Sequence, residues 1–84
     1  MKGYIYILLS LKDYKTYTGS TDNLEKRLKE HHNGKCKATV NRRPLQLIYS
    51  EKIDSLDEAR KREKYFKTAS GRRALKKIFE DFKK

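Results

Sequence analysis

Apolar and polar positions set out an order of elements along this chain. Tyr4-Ile5-Tyr6-Ile7-Leu8-Leu9 is a short aromatic and β-branched run that ends at Ser10, the pattern of a buried strand. Thr16-Tyr17-Thr18 predicts its partner, and the polar connection from Ser10 to Lys15, with Asp13 as a turn residue, returns the chain antiparallel. Side chains alternate across a strand, so Tyr4, Tyr6 and Leu8 share one face while Ile5, Ile7 and Leu9 share the other. Tyr6 and Tyr17 are therefore expected together on one face of a hairpin.

The period then changes. Asp22 and Glu25 form a predicted capping box, Leu24, Arg27, Leu28 and His31 recur at helical offsets, and Gly34 supplies the stop. Lys35 to Pro44 has no periodicity and reads as an exposed basic loop closed by Pro44. Leu45 to Glu51 alternates as a third strand, and Ser55 with Glu58 opens a second helix expected to run to about Ala69. A last helix begins at Ser70 or Gly71 with Leu75, Ile78, Phe79 and Phe82 as its apolar stripe. The order β-β-α-β-α-α predicts an α+β fold, a three-stranded mixed or antiparallel sheet flanked by helices. Residues 1–84 form one predicted domain, with no internal repeat or linker.

Composition narrows the partners. Lys and Arg total 22 against 11 acidic residues, a formal charge of +11 on 84 residues. A field of that sign favours a polyanion, either nucleic acid or an anionic membrane surface. No apolar run approaches the roughly 20 residues that span a bilayer, and Met1-Lys2 leads into the first strand without a cleavage pattern. The expectation is a soluble, cytoplasmic protein with no membrane partner. Cys36 is a single cysteine, and two histidines beside it make no zinc spacing.

Two helical faces carry residues that an ordinary core does not ask for. In the second helix Leu56, Ala59, Glu63 and Phe66 form a ladder in which Glu63 stands at an apolar slot. An inward carboxylate is costly unless it is paired or holds a metal, so Glu63 is either a structural ion pair or a functional group. In the first helix Arg27 and His31 lie one turn apart beside Leu24 and Leu28, where a guanidinium can clamp a phosphate. The ordinary alternative has Arg27 snorkelling to solvent and His31 or His32 terminating the helix. Filling a core is likewise the usual work of strand tyrosines, which covers Tyr4, Tyr49 and Tyr65. Together, however, two strand tyrosines, Arg27 with His31, and Glu63 are the ingredients of phosphodiester hydrolysis: an oxygen ligand for a metal, a cation for the phosphate and a group that activates water.

These residues bear a family likeness. Tyr4-Ile5-Tyr6 and Tyr17-Thr18-Gly19, Arg27 followed four residues on by His31, and Glu63 in the second helix stand in order at the separations of the GIY-YIG endonuclease superfamily. The chain resembles its small stand-alone bacterial type over essentially its whole length, and is similar in kind to the nuclease module of the excision-repair subunit. Tyr4 replaces the name-giving glycine. Ser20 stands where many members carry lysine, and Thr68, Ser70 and Gly71 stand where many carry asparagine.

The resemblance implies a divalent-metal-dependent DNA endonuclease or nickase with one labile magnesium or manganese ion on Glu63. It also implies that Arg27 contacts the phosphate, that Tyr17 or Tyr6 acts as base or water-positioning group, and that His31 is an alternative proton acceptor. A tyrosine base requires nearby positive charge, since its free pKa is near 10. Lys35, Lys37, Arg42 and Arg43 of the basic loop, with Lys67, are the expected nucleic-acid contacts, and phosphate contacts of this kind give affinity without reading sequence. The expected substrate is branched, nicked or single-stranded DNA in repair or recombination, with a repair complex as a further partner. The competing class is a non-catalytic nucleic-acid-binding module of the same fold.

Overall fold

The computed structural model describes residues 2–83. Its sheet has the order β2-β1-β3 and is antiparallel throughout, built from β1 (Gly3–Ser10), β2 (Thr16–Thr21) and β3 (Leu45–Ile53). Three α-helices complete it: α1 (Leu24–His32), α2 (Leu56–Phe66) and α3 (Ala69–Lys83). The expected α+β order is observed.

The central strand explains why its sequence is a continuous apolar run and not an alternating one. Both faces of β1 are covered, and every residue from Ile5 to Ser10 is buried. Ile5 and Ile7 pack with Ala59 and Phe66 of α2 and with Ala74, Leu75 and Ile78 of α3. Tyr6 and Leu8 pack on the opposite face with Tyr17, Leu24 and Leu28. A bulge in β3 serves both cores, because Leu8 pairs with Leu47 whereas Ile7 pairs with Tyr49. The extra residue, Ile48, shifts the parity, so Leu45 and Leu47 join the α1 side while Tyr49 and Ile53 join the α2–α3 side.

Several local expectations are corrected. Asn23, and not Asp22, caps α1, its side chain accepting from the Lys26 amide, because Asn23 is the last residue with extended backbone before the helix. Ser55 caps α2 as expected, accepting from the Glu58 amide. That helix stops at Phe66, short of Ala69, because Thr68 bonds the Tyr65 carbonyl and receives the Gly71 amide. Gly71 then packs so tightly on α2 that a Cβ there would meet the Tyr65 carbonyl oxygen at 1.9 Å.

The segment between α1 and β3 is more than an exposed basic loop. Val40–Arg42 form a 3₁₀ turn, and both Cys36 and Thr39 are buried. Buried Ser10 ties this segment to the β1–β2 turn, donating to the Arg42 carbonyl at 2.7 Å and accepting from the amides of Lys12 and Asp13. On α3, Phe82 departs from the expected inward stripe and is 37% exposed.

Candidate active site on the edge strand

The hairpin register decides where the motif residues go. Tyr6 pairs with Gly19 and Leu8 with Tyr17, so the two tyrosines share the α1 face, their ring centroids 6.5 Å apart. Gly19 is required by this pairing. The Tyr6 ring lies across it, and a Cβ there would come within 2.4 Å of the Tyr6 hydroxyl oxygen.

Helix α1 brings its polar residues onto the same tyrosine. His31 is fully buried, with its ring 5.5 Å from Tyr6 and 5.4 Å from Tyr17. Its Nε2 lies 3.0 Å from the Tyr6 hydroxyl and its Nδ1 lies 2.7 Å from the Thr39 hydroxyl. Burial, reinforced by the neighbouring Arg27 charge, pushes the imidazole down to about 4, so the ring is neutral at ordinary pH. Arg27 donates from Nε to the Tyr6 oxygen at 3.4 Å. The neutral imidazole thus bridges the two hydroxyls, one ring nitrogen donating and the other accepting.

Burial outweighs the Arg27 hydrogen bond and pushes the Tyr6 phenol up to about 12. Tyr6 is therefore a protonated, 1% exposed group that links Arg27 to His31. The hydrogen bond to Tyr6 holds the Arg27 guanidinium firmly charged. Arg27 also reaches Glu30 at 3.3 Å and the Cys36 sulfur at 3.6 Å, yet its side chain remains 34% exposed. A phosphate can approach it from solvent.

Glu63 belongs to the other flank of β2. Strand alternation turns Ser20 away from Tyr17, and the Ser20 hydroxyl donates to Glu63 Oε1 at 2.6 Å. Lys67, one helical turn on, donates to Oε2 at 3.0 Å. The structure thus joins Tyr6, Tyr17, Arg27 and His31 in one cluster and holds Glu63 separately, across the edge strand. Among the described residues no hydrogen bond, ion pair or ring contact joins the two groups directly, but Tyr17 and Ser20 are three residues apart on β2. The edge strand carries both.

A second partly buried carboxylate sharpens the choice of Glu63. Glu51 on β3 receives both Nε and Nη2 of Arg62, at 3.0 and 3.2 Å, together with the Tyr49 hydroxyl. Partial burial works to raise its carboxyl, but these hydrogen bonds outweigh it and hold Glu51 below the usual range. Glu51 is a closed structural pair. Among the described residues Glu63 is held by one hydroxyl and one lysine.

The predicted nucleic-acid contacts divide. Lys35 and Lys37 are exposed. Arg42 pairs with Asp13 at 3.4 Å, and Arg43 donates to the carbonyls of Val40 and His32, tying the loop to the end of α1. Lys67 is held by Glu63. Sequence reasoning missed Thr39 as a site residue and placed it in an exposed loop. Its only signal was a β-branched residue between Ala38 and Val40 in an otherwise basic stretch.

A family model described as the GIY-YIG catalytic domain matches residues 2–77. The chain belongs to the GIY-YIG family. The domain is a nuclease domain acting on DNA, and nucleases that carry it generally use a divalent metal ion. This GIY-YIG chain is 48% identical over 80 residues to a UPF0213 protein of Staphylococcus saprophyticus, a match that covers 94% of this chain and 96% of that one. It is 46% identical over 79 residues to a UPF0213 protein of Syntrophus aciditrophicus, covering 92% and 90%. The solution NMR structure of a UPF0213 protein from Bacillus halodurans is similar at a TM-score of 0.55 and 33% identity, covering 93% of this chain and 85% of that one.

The GIY-YIG site passes a simple test for a divalent ion. Among the described residues no three His, Cys, Asp or Glu side chains gather into a metal cage. Magnesium asks for less than a cage, since one or two carboxylates with water and phosphate oxygens suffice. The half-buried Glu63 carboxylate, steadied by a hydroxyl on one oxygen, has donor chemistry that fits such an ion. No helix among the described residues is long and apolar enough to cross a membrane.

Proposed function

We propose that this GIY-YIG protein is a divalent-metal-dependent DNA endonuclease or nickase that hydrolyses phosphodiester bonds, selects its substrate by structure, and acts in DNA repair or recombination. One observation carries the reading: the edge strand that holds Tyr17 beside Tyr6 and His31 also holds, through Ser20, a glutamate whose other oxygen meets a single lysine. A purely binding surface has no use for a carboxylate among its cations.

Glu63 is the residue that holds the ion, magnesium or manganese, through the oxygens now covered by Ser20 and Lys67. When bound, such an ion supplies Lewis-acid stabilisation of the phosphate and the leaving oxygen. Arg27 neutralises charge on the scissile phosphate from the other side of β2. Tyr17 is half-buried and is the tyrosine with access to water, so it takes the water-activating role. Tyr6 keeps its proton at ordinary pH and orients Arg27 and His31. His31 stays neutral and acts through Tyr6, since its ring has no solvent exposure. Lys35 and Lys37 contribute phosphate contacts, which favour selection by DNA structure over selection by sequence.

The test is nicking of supercoiled plasmid and cutting of branched substrates with magnesium or manganese, beside Glu63→Ala and Tyr17→Phe. The expected result is cutting by the unmodified protein and loss of cutting with retained DNA binding in both variants. Intact DNA at high protein concentration, bound but uncut with either metal, would instead identify a binding module.

A further inference from the structure

A second concavity opens on the α2–α3 flank of β2, where the hairpin turn meets the junction of the two helices, and Tyr17 of the Tyr6 cluster forms part of its lining. It encloses about 540 Å³. Lys15, Lys67, Arg72 and Lys76 line it, no carboxylate does so among the described residues, and the rings of Tyr14 and Phe79 stand among the cations. Tyr14 sits at the tip of the turn, 67% exposed, at φ 59°. A ring so exposed adds little to the core, and the left-handed backbone there favours glycine or asparagine over tyrosine. The cleft also reaches the proposed cutting residue, because Lys67, one of its walls, lies 3.0 Å from Glu63.

We infer that this cleft binds an unpaired stretch of DNA that flanks the scissile phosphate, with a base stacked on Tyr14 and phosphates on Lys15, Arg72 and Lys76. Interleaved rings and cations are the chemistry of single-strand grooves, since every base has a face to stack and every link a phosphate to neutralise. A blunt duplex hides its base faces in its own stack and leaves Tyr14 without a ligand. The inference rests on the nuclease reading for the identity of the polyanion, and it makes unpaired DNA next to the cut the structural feature selected.

The test is fluorescence anisotropy of the full chain with a labelled oligothymidine and with a blunt duplex of equal length, in EDTA so that nothing is cut. Tyr14→Ala is expected to weaken oligothymidine binding about tenfold while changing duplex binding less than about twofold, and Tyr14→Trp to retain the tight binding. Arg72→Ala with Lys76→Ala is expected to lower the salt slope for oligothymidine by about 0.7 per cation removed. Unchanged oligothymidine affinity in Tyr14→Ala overturns the inference, as does equal weakening toward both polymers. Concentration-dependent sedimentation abolished by Tyr14→Ala would assign the cleft to a second copy of the chain and overturn it too. Plasmid nicking that depends on Glu63 alongside Tyr14-independent single-strand binding removes the cleft alone. Tyr14-dependent binding with nicking indifferent to Glu63→Ala removes the nuclease assignment alone.

Discussion

The two flanks of β2 are built on opposite principles. On the α1 flank Tyr6, His31 and Thr39 are almost wholly buried, and their hydroxyl and ring nitrogen atoms are bonded to one another. On the α2 flank Glu63 keeps a quarter of its side chain exposed, and its second partner, Lys67, is 60% exposed. The difference teaches a division of labour. A closed network in a low-dielectric interior holds fixed charges and dipoles in place, whereas an open carboxylate can exchange a lysine for a metal ion or a substrate.

The comparison breaks most sharply at Glu63. Glu63→Ala is expected to lower plasmid nicking by about a thousandfold, the upper range for removal of one preorganised charge-stabilising group, with little change in thermal stability. Loss of folding in this variant would mean that the open flank is structural after all.

Buried His31, within the closed flank, should show itself in stability. His31 titrates near 6.5 when unfolded and at about 4 in the folded chain. Below pH 6.5 the unfolded state binds the extra proton, so stability is complete above that pH and falls as pH drops toward 4. At about 1.4 kcal/mol per pH unit across that window the loss is on the order of 3 kcal/mol. Urea unfolding at a series of pH values, beside His31→Gln, isolates it from the carboxylates, and an identical slope in both proteins would contradict the buried neutral imidazole.

Thr39→Val sharpens the same flank at smaller scale. It leaves the His31 Nδ1 without its 2.7 Å partner, and a buried unmade hydrogen bond costs about 1–3 kcal/mol. Denaturant titration should register that loss. The smallest effect belongs to the open flank: Ser20→Ala removes the 2.6 Å support of Glu63 and should raise the magnesium concentration for half-maximal nicking about tenfold, the lower range for loss of an outer-shell partner.

Much of this arrangement could be read before folding was considered. The apolar run of β1, the Ser55 cap of α2, the meeting of Tyr6 with Tyr17 and the helical face shared by Arg27 and His31 all follow from local periodicity and turn chemistry, which act over a few residues. The Glu63 anomaly was visible for the same reason. What periodicity could not supply was the partner of each anomalous group. Ser20 and Glu63 are 43 residues apart in the chain. Thr39 meets His31 only because the 3₁₀ turn of Val40–Arg42 and the Ser10 contacts fold the basic segment back over α1.

By itself, then, the sequence determined the order of elements, the two faces of the hairpin and the residue types able to cut a phosphodiester, because those depend on spacing along the chain. Only the tertiary structure decided that the candidate machinery is split by the edge strand, that Glu51 takes a two-pronged arginine pair while Glu63 takes one hydroxyl and one lysine, and that Tyr14 shares a cleft with Phe79, Arg72 and Lys76. Those outcomes depend on strand register, on the β3 bulge and on which remote cation reaches which carboxylate. These are matters of distance through space, which spacing in sequence does not contain.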